Sequence, residues 1–186
     1  ESISIEKDVD GFHPMSLGKM VIGEPCFLPA TPYGIITLIE ENKIETNGKN
    51  CLVIGRSNIV GRPISILMSR NSKFANATVT LAHSRTKNIE NLTKEADIII
   101  VALGKANFLN KDMVKEGVVI IDVGINRIKS NKTKSGWRLV GDVDFESVKQ
   151  KSSYITPVPG GVGPMTIVSL LKNTMLSYER KNNLNL

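Results

Sequence analysis

The stretch Asn50 to Pro63, Asn-Cys-Leu-Val-Ile-Gly-Arg-Ser-Asn-Ile-Val-Gly-Arg-Pro, narrows the choice of folds more than any other part of the chain. Cys51 to Ile54 is a short apolar run with Val and Ile, bounded by Gly48 and Gly55, which marks a buried parallel strand. From Ile59 the apolar residues fall at helical intervals through Val60, Pro63, Ile64, Leu67 and Met68. A strand, a glycine turn and a helix in that order aim the helix's unpaired N–H groups and its positive dipole end at one spot, where a diphosphate can sit. The spacing departs from Gly-x-Gly-x-x-Gly, because Ser57 stands at the second position and Gly61 comes one residue late. Taken alone, the stretch fits an ordinary strand–helix turn of an α/β protein equally well, and the rest of the chain has to decide.

The same alternation recurs downstream. Strands are predicted at Ala77–Ala82, Asp97–Ala102, Val118–Val123 and Ser153–Thr156, and helices at Ile59–Arg70, Ile89–Glu95, Lys111–Glu116, Asp144–Lys151 and Thr166–Arg180. Arg127 to Val140 is basic and hydrophilic around Gly136 and reads as a protruding hairpin or arm. Upstream, a short helix is expected over Leu17–Ile22. Thr31 is expected to cap a buried helix that has Pro32 at its first position and ends near Asn42. The tail, Lys181 to Leu186, is expected to fray. Near-continuously apolar strands alternating with helices predict an α/β fold, a Rossmann-like doubly wound and mainly parallel sheet with helices on both faces.

Ligands of such sheets sit beyond the carboxyl ends of the strands. The segments that follow the predicted strands are Gly55-Arg56-Ser57, His83-Ser84-Arg85-Thr86, Leu103-Gly104-Lys105 and Gly124-Ile125-Asn126. They are small, polar or cationic and none is acidic, which points to a phosphate-rich nucleotide. After the second strand, NAD sites place a carboxylate for the ribose 2′-OH. Here Ser84 and Arg85 stand there instead, suited to a 2′-phosphate. NADP is therefore the expected cofactor, with Arg56, Ser57, Ser84 and Arg85 around its 2′-phosphate; the competing reading of either arginine is a solvated surface side chain.

Composition removes other classes. A net charge of +6 serves solubility and attracts phosphorylated small molecules. With only 5% aromatic residues and no basic–aromatic interleaving, nucleic-acid binding is not expected. Cys26 and Cys51 lack metal-ligand spacing, and His13 and His83 stand alone, so no metal site is expected. Isolated thiols, no membrane-length apolar run and no visible signal peptide are read as a reducing compartment, the cytoplasm, with no membrane partner. Because the chain opens on Glu1 rather than Met, a piece of a longer protein is expected.

Two loops exceed what a plain nucleotide domain requires. One is Lys7 to Pro14. The other is Thr156-Pro157-Val158-Pro159-Gly160-Gly161-Val162-Gly163-Pro164-Met165-Thr166, where glycines let backbone approach a flat ligand and prolines stiffen the run. Together with Lys7–Phe12, Gly55–Gly61, Asp122–Asn126 and Val140–Val143, this run resembles the bifunctional methylenetetrahydrofolate dehydrogenase/cyclohydrolase family, in order and interval from about Lys7 to the closing helix.

The resemblance implies oxidation of 5,10-methylenetetrahydrofolate by NADP to the 5,10-methenyl form, then hydrolysis to 10-formyltetrahydrofolate, by a homodimer with tetrahydrofolate derivatives as partners. It places Asp10, Gly11, Pro157, Gly160, Gly161 and Pro164 on the folate side of the cleft. A carboxylate at Asp10 can accept from a pterin ring N–H and its amino group together, though an Asx turn ahead of Gly11 is an alternative role. On the cofactor side it places Gly55, Arg56, Ser57, Ile59, Val60, Gly61, His83, Ser84, Arg85, Thr86, Gly104, Lys105, Gly124, Ile125, Gly163 and Thr166. The family also has an N-terminal lobe carrying a catalytic Tyr-x-x-x-Lys. Here Tyr33, Tyr154 and Tyr178 are followed at that spacing by Thr37, Val158 and Asn182, so no catalytic residue is expected within the chain. The implied organisation is a linker and lobe edge over 1–30, a dinucleotide domain over 31–165 and, over 166–186, a helix packing back toward the lobe. Two alternatives stay open: a non-catalytic cofactor-binding or dimerisation module using the Arg127–Val140 arm, and another NADP-dependent dehydrogenase of the same fold, such as a shikimate-type enzyme.

Overall fold

Successive side chains of a strand point to opposite faces, and here both faces are apolar. The computed structural model describes residues 3–131 and 133–183. The end of the tail expected to fray, residues 184–186, lies outside them. Strands β1 (Asn50–Ile54), β2 (Thr78–Ala82), β3 (Ile98–Val101), β4 (Val118–Asp122) and β7 (Ser152–Ile155) form one parallel sheet in the order β2-β1-β3-β4-β7. Cys51, Val53, Ile98, Ile100, Val119 and Ile121 pack on one face, against side chains from α1 (Pro14–Ile22), α2 (Ala30–Glu41) and α3 (Gly61–Ser69). Leu52, Ile54, Ile99, Val101, Val118 and Ile120 fill the other, together with Ile89 and Leu92 of α4 (Ile89–Glu95) and Val148 of α5 (Phe145–Val148). This is the expected doubly wound architecture. Burial pushes the Cys51 thiol up to about 12, so it is an inert core residue.

Strands β5 (Asn126–Lys129) and β6 (Trp137–Val140) pair antiparallel as a separate two-stranded ribbon, the arm anticipated from composition. Among the described residues no helix is long and apolar enough to cross a membrane.

Several boundaries differ from expectation. Lys111–Met113 is only a 3-10 turn, and α5 has a single turn, because each segment offers few buried apolar residues to hold a longer helix. Helix α1 starts earlier than predicted, at Pro14, where His13 caps it by accepting at Nδ1 from the Met15 N–H (3.1 Å). Thr31 is not a cap: α2 begins at Ala30, and Thr31 lies in its first turn with its hydroxyl 3.2 Å from that of Thr166. The last helix, α6 (Val162–Lys181), takes in Gly163 and Pro164, so the glycine–proline loop ends at Gly161. Proline is tolerated there because a first-turn N–H has no helical partner to lose.

Candidate nucleotide site

The chain leaves β1 for β2 on one side and then returns to β3 on the other, so the strand order reverses at β1. Its carboxyl end is the crevice where ligands of such sheets bind. Two glycines make the turn there. Gly55 has φ 120°, and a Cβ on it would lie 2.2 Å from the Ala102 carbonyl oxygen. A Cβ on Gly61 would lie 1.9 Å from the Gly55 carbonyl oxygen, so the start of α3 is packed onto the strand end. Ser57 closes the turn: its hydroxyl oxygen accepts from the N–H groups of Val60 (3.1 Å) and Gly61 (3.3 Å). It keeps one O–H to donate outward. Arg56, Ser57 and Ile59 are exposed and Val60 is half-buried.

The next strand end is in register. Ile54 pairs with Ala82, and the Gly55 N–H donates to the Ala82 carbonyl (2.9 Å), so the two following loops share one rim. His83 and Thr86 build the second loop: the His83 N–H donates to Thr86 Oγ1 (2.9 Å), and the Thr86 N–H to the His83 carbonyl (2.8 Å). His83 Nδ1 accepts from the Arg85 N–H (3.1 Å). Ser84 and Arg85 are exposed at the tip. The side chains of Arg56, Ser84 and Arg85 have no hydrogen bond or ion pair among the described residues, and these donors suit a phosphate monoester.

The third and fourth loops rest on two aspartates to which the sequence reading assigned no role. Asp142 is fully buried. Its Oδ2 accepts from the N–H groups of Leu103 (2.6 Å) and Gly104 (2.9 Å), and its Oδ1 from the Lys105 N–H (2.8 Å) and Asn126 Nδ2 (2.8 Å). Asp122 Oδ1 accepts from the Gly124 (2.9 Å) and Asp142 (3.0 Å) N–H groups, and Oδ2 from the Val143 N–H (2.9 Å). Burial raises the Asp122 carboxyl to about 6, against the pull of those hydrogen bonds. The signal that could have found the pair is the glycines beside them: a Cβ on Gly124 would lie 2.3 Å from the Asp142 carboxyl, and one on Gly141 1.8 Å from that of Asp122. The backbone N–H groups of Gly104 and Lys105 therefore face inward, and Lys105 offers a ligand only its side chain, whose ammonium lies 5.3 Å from the Phe108 ring.

A cavity of about 160 Å³ lies beside these loops, lined by Asp122, Gly124, Ile125, Leu139, Pro157 and Gly160 through Pro164. Gly160 has φ 108°, and a Cβ on Gly161 would lie 2.6 Å from the Pro157 carbonyl oxygen, so backbone forms that wall. Thr166 lies in the first turns of α6, its hydroxyl 3.0 Å from the Val162 carbonyl and 3.2 Å from the Thr31 hydroxyl in α2. In the N-terminal loop Asp8, not Asp10, is the organiser. It accepts from the Phe12 N–H (3.1 Å), the His13 N–H (2.8 Å) and the Ser16 hydroxyl (2.9 Å). Gly11 is buried at φ 72°, where a Cβ would meet Leu28 backbone at 2.6 Å. Asp10 is exposed, with no partner among the described residues.

A family model described as the NAD(P)-binding domain of tetrahydrofolate dehydrogenase/cyclohydrolase matches residues 29–182. The bifunctional protein FolD of Cytophaga hutchinsonii is 65% identical over 175 residues, which cover 94% of this chain and 60% of that protein. The crystal structure of the bifunctional FolD enzyme of Campylobacter jejuni is similar at 51% identity and a TM-score of 0.88, over 97% of this chain and 61% of that one. A Trypanosoma brucei dehydrogenase-cyclohydrolase, complexed with NADP cofactor and inhibitor, matches at 36% identity and a TM-score of 0.89, over 96% of this chain and 60% of that one. The chain thus spans about 60% of the length of such relatives. The strand-end rim, the Gly55–Gly61 turn and the family match agree: this chain belongs to the tetrahydrofolate dehydrogenase/cyclohydrolase family and carries its NAD(P)-binding domain.

Proposed function

We propose that this chain is the NADP-binding portion of an enzyme that oxidises 5,10-methylenetetrahydrofolate to the 5,10-methenyl form and hydrolyses that to 10-formyltetrahydrofolate. The observation that carries the reading is the open cationic rim formed by the in-register ends of β1 and β2. Arg56, Ser84 and Arg85 stand there unpartnered among the described residues, while both nearby aspartates turn their carboxylates inward. A 2′-phosphate meets donors there and no carboxylate. The positive dipole end of α3 favours the diphosphate, with Ser57 supplying a hydroxyl proton. Beyond Gly104, Gly124 and Ile125, the Pro157–Pro164 wall and Asp10 would hold a pteridine against the nicotinamide ring. NADP when bound supplies the hydride acceptor. The residues of this chain orient the two rings and exclude water from between them.

Proton transfer and the hydrolytic step require groups outside this chain. The exposed apolar residues of α6, Ile167, Leu171, Met175 and Tyr178, would pack against the lobe that supplies them. The β5–β6 ribbon, with Trp137 and Leu139 exposed, would pair two copies as a homodimer; sedimentation as a monomer at micromolar concentration would exclude that. The cytoplasm is the proposed compartment, which supplies both folate and NADP.

The test is turnover in the complete gene product. NADP-dependent formation of the methenyl chromophore supports the enzyme reading. Cofactor binding without turnover would leave the module reading in its place. Asp10→Ala is expected to impair folate use and leave NADP affinity unchanged; a parallel fall in NADP affinity would place Asp10 elsewhere.

A further inference from the structure

We propose that Asp142 is a positioning residue for the nicotinamide half of the site, an internal anion that sets the gap between the loop after β3 and the loop after β4. This rests on the NADP reading above. Three successive backbone N–H groups, from Leu103, Gly104 and Lys105, converge on one carboxylate, the arrangement that elsewhere forms an anion-binding nest. Here the anion is part of the chain, so these three N–H groups are not offered to an incoming diphosphate. The fourth donor, Asn126 Nδ2, comes from the start of β5, and Gly124 lacks the Cβ that would block the carboxylate's approach. Gly104 on one side and Asn126 on the other are thereby tied to the same carboxylate, while the Gly124 N–H is fixed on Asp122 Oδ1. Ile125 is held between two fixed neighbours and projects outward at 64% exposure.

An ionised carboxylate accepts at both oxygens, which four converging donors require, whereas an amide turns one end into a donor. Asp142→Asn therefore opposes N–H to N–H on one side and loosens the gap. The adenosine end of the rim is not part of this network. Arg56, Ser84 and Arg85 follow β1 and β2, while Asp142 ties loops that follow β3 and β4.

The test is titration of the wild-type protein, Asp142→Asn and Asn126→Ala with NADP and, separately, with adenosine 2′,5′-bisphosphate, which lacks the nicotinamide half. Asp142→Asn is expected to weaken NADP about tenfold and to leave the bisphosphate within about twofold. Asn126→Ala, which removes one donor, is expected to give a smaller loss with the same split. Equal losses for both ligands would make Asp142 a general scaffold residue and overturn the proposal, as would unchanged NADP affinity. If Asp142→Asn fails to fold, the same outcomes decide through Asn126→Ala. A wild-type protein that binds neither ligand removes the NADP reading itself, and this role with it.

Discussion

Gly61→Ala tests how closely the strand end and the helix start must approach. A Cβ at this position would lie 1.9 Å from the Gly55 carbonyl oxygen, 2.6 Å from its carbonyl carbon and 2.9 Å from Arg56 Cα. All three are backbone atoms at the end of a central strand, so no side chain can swing aside. The turn must retreat by about 1 Å, and overpacking of this kind costs roughly 3 kcal/mol, the upper end of the usual range, since the yielding element is backbone. For a chain of this length that corresponds to a fall in melting temperature of roughly 6–12 °C. The same retreat displaces the Ser57 hydroxyl that the turn offers to a diphosphate, and losing one charge-assisted hydrogen bond weakens NADP by roughly 10- to 100-fold. Gly18→Ala is the control. Gly18 lies exposed within α1, and a methyl group added there would have no neighbour within 4 Å, so alanine stabilises by about 1 kcal/mol through helix propensity. Thermal melts and isothermal titration with NADP read both quantities. A Gly61→Ala protein with unchanged melting temperature and affinity would show that the turn yields freely and that close approach does not shape the site.

Two further outcomes are expected. Arg56→Ala with Arg85→Ala should weaken NADP far more than NAD in parallel titrations; equal losses would remove the 2′-phosphate assignment. Asp122 is raised by burial from its ordinary 3.8 to about 6, so between those values the folded state holds a proton that the unfolded state has released, and its contribution to stability falls as pH rises. Relative to Asp122→Asn, the wild type should lose roughly 2 kcal/mol between pH 4 and pH 7 in urea melts, and a flat difference would refute it.

The fold was largely legible because its signal is local. The apolar strand runs and their glycine boundaries marked every strand of the sheet to within a residue or two, and the basic stretch around Gly136 marked the ribbon. Boundaries failed where tertiary contact overrides propensity. Lys111–Glu116 reads as a helix but forms one 3-10 turn, and Pro164 reads as loop but sits in the first turn of α6. At the site, the rim residues after β1 and β2 could be named from the order of strands alone. The roles of Asp8 and Asp142 could not, because both act through hydrogen bonds that no periodicity reports.

The same physical device occurs twice along this rim with opposite outcomes. After β1 the N–H groups of Val60 and Gly61 turn to a neutral hydroxyl, Ser57 Oγ, which leaves the positive end of α3 without a countercharge. After β3 three N–H groups converge just as tightly, but on a carboxylate that arrives from 37 to 39 residues downstream. A neutral cap keeps a site attractive to phosphate, whereas an ionised one neutralises it. Both turns look alike in sequence, a glycine followed by a cation: Gly55-Arg56 and Gly104-Lys105. What separates a phosphate site from a supporting loop is therefore whether a distant aspartate can reach it, and Gly124, by having no side chain, is what admits Asp142 to the second.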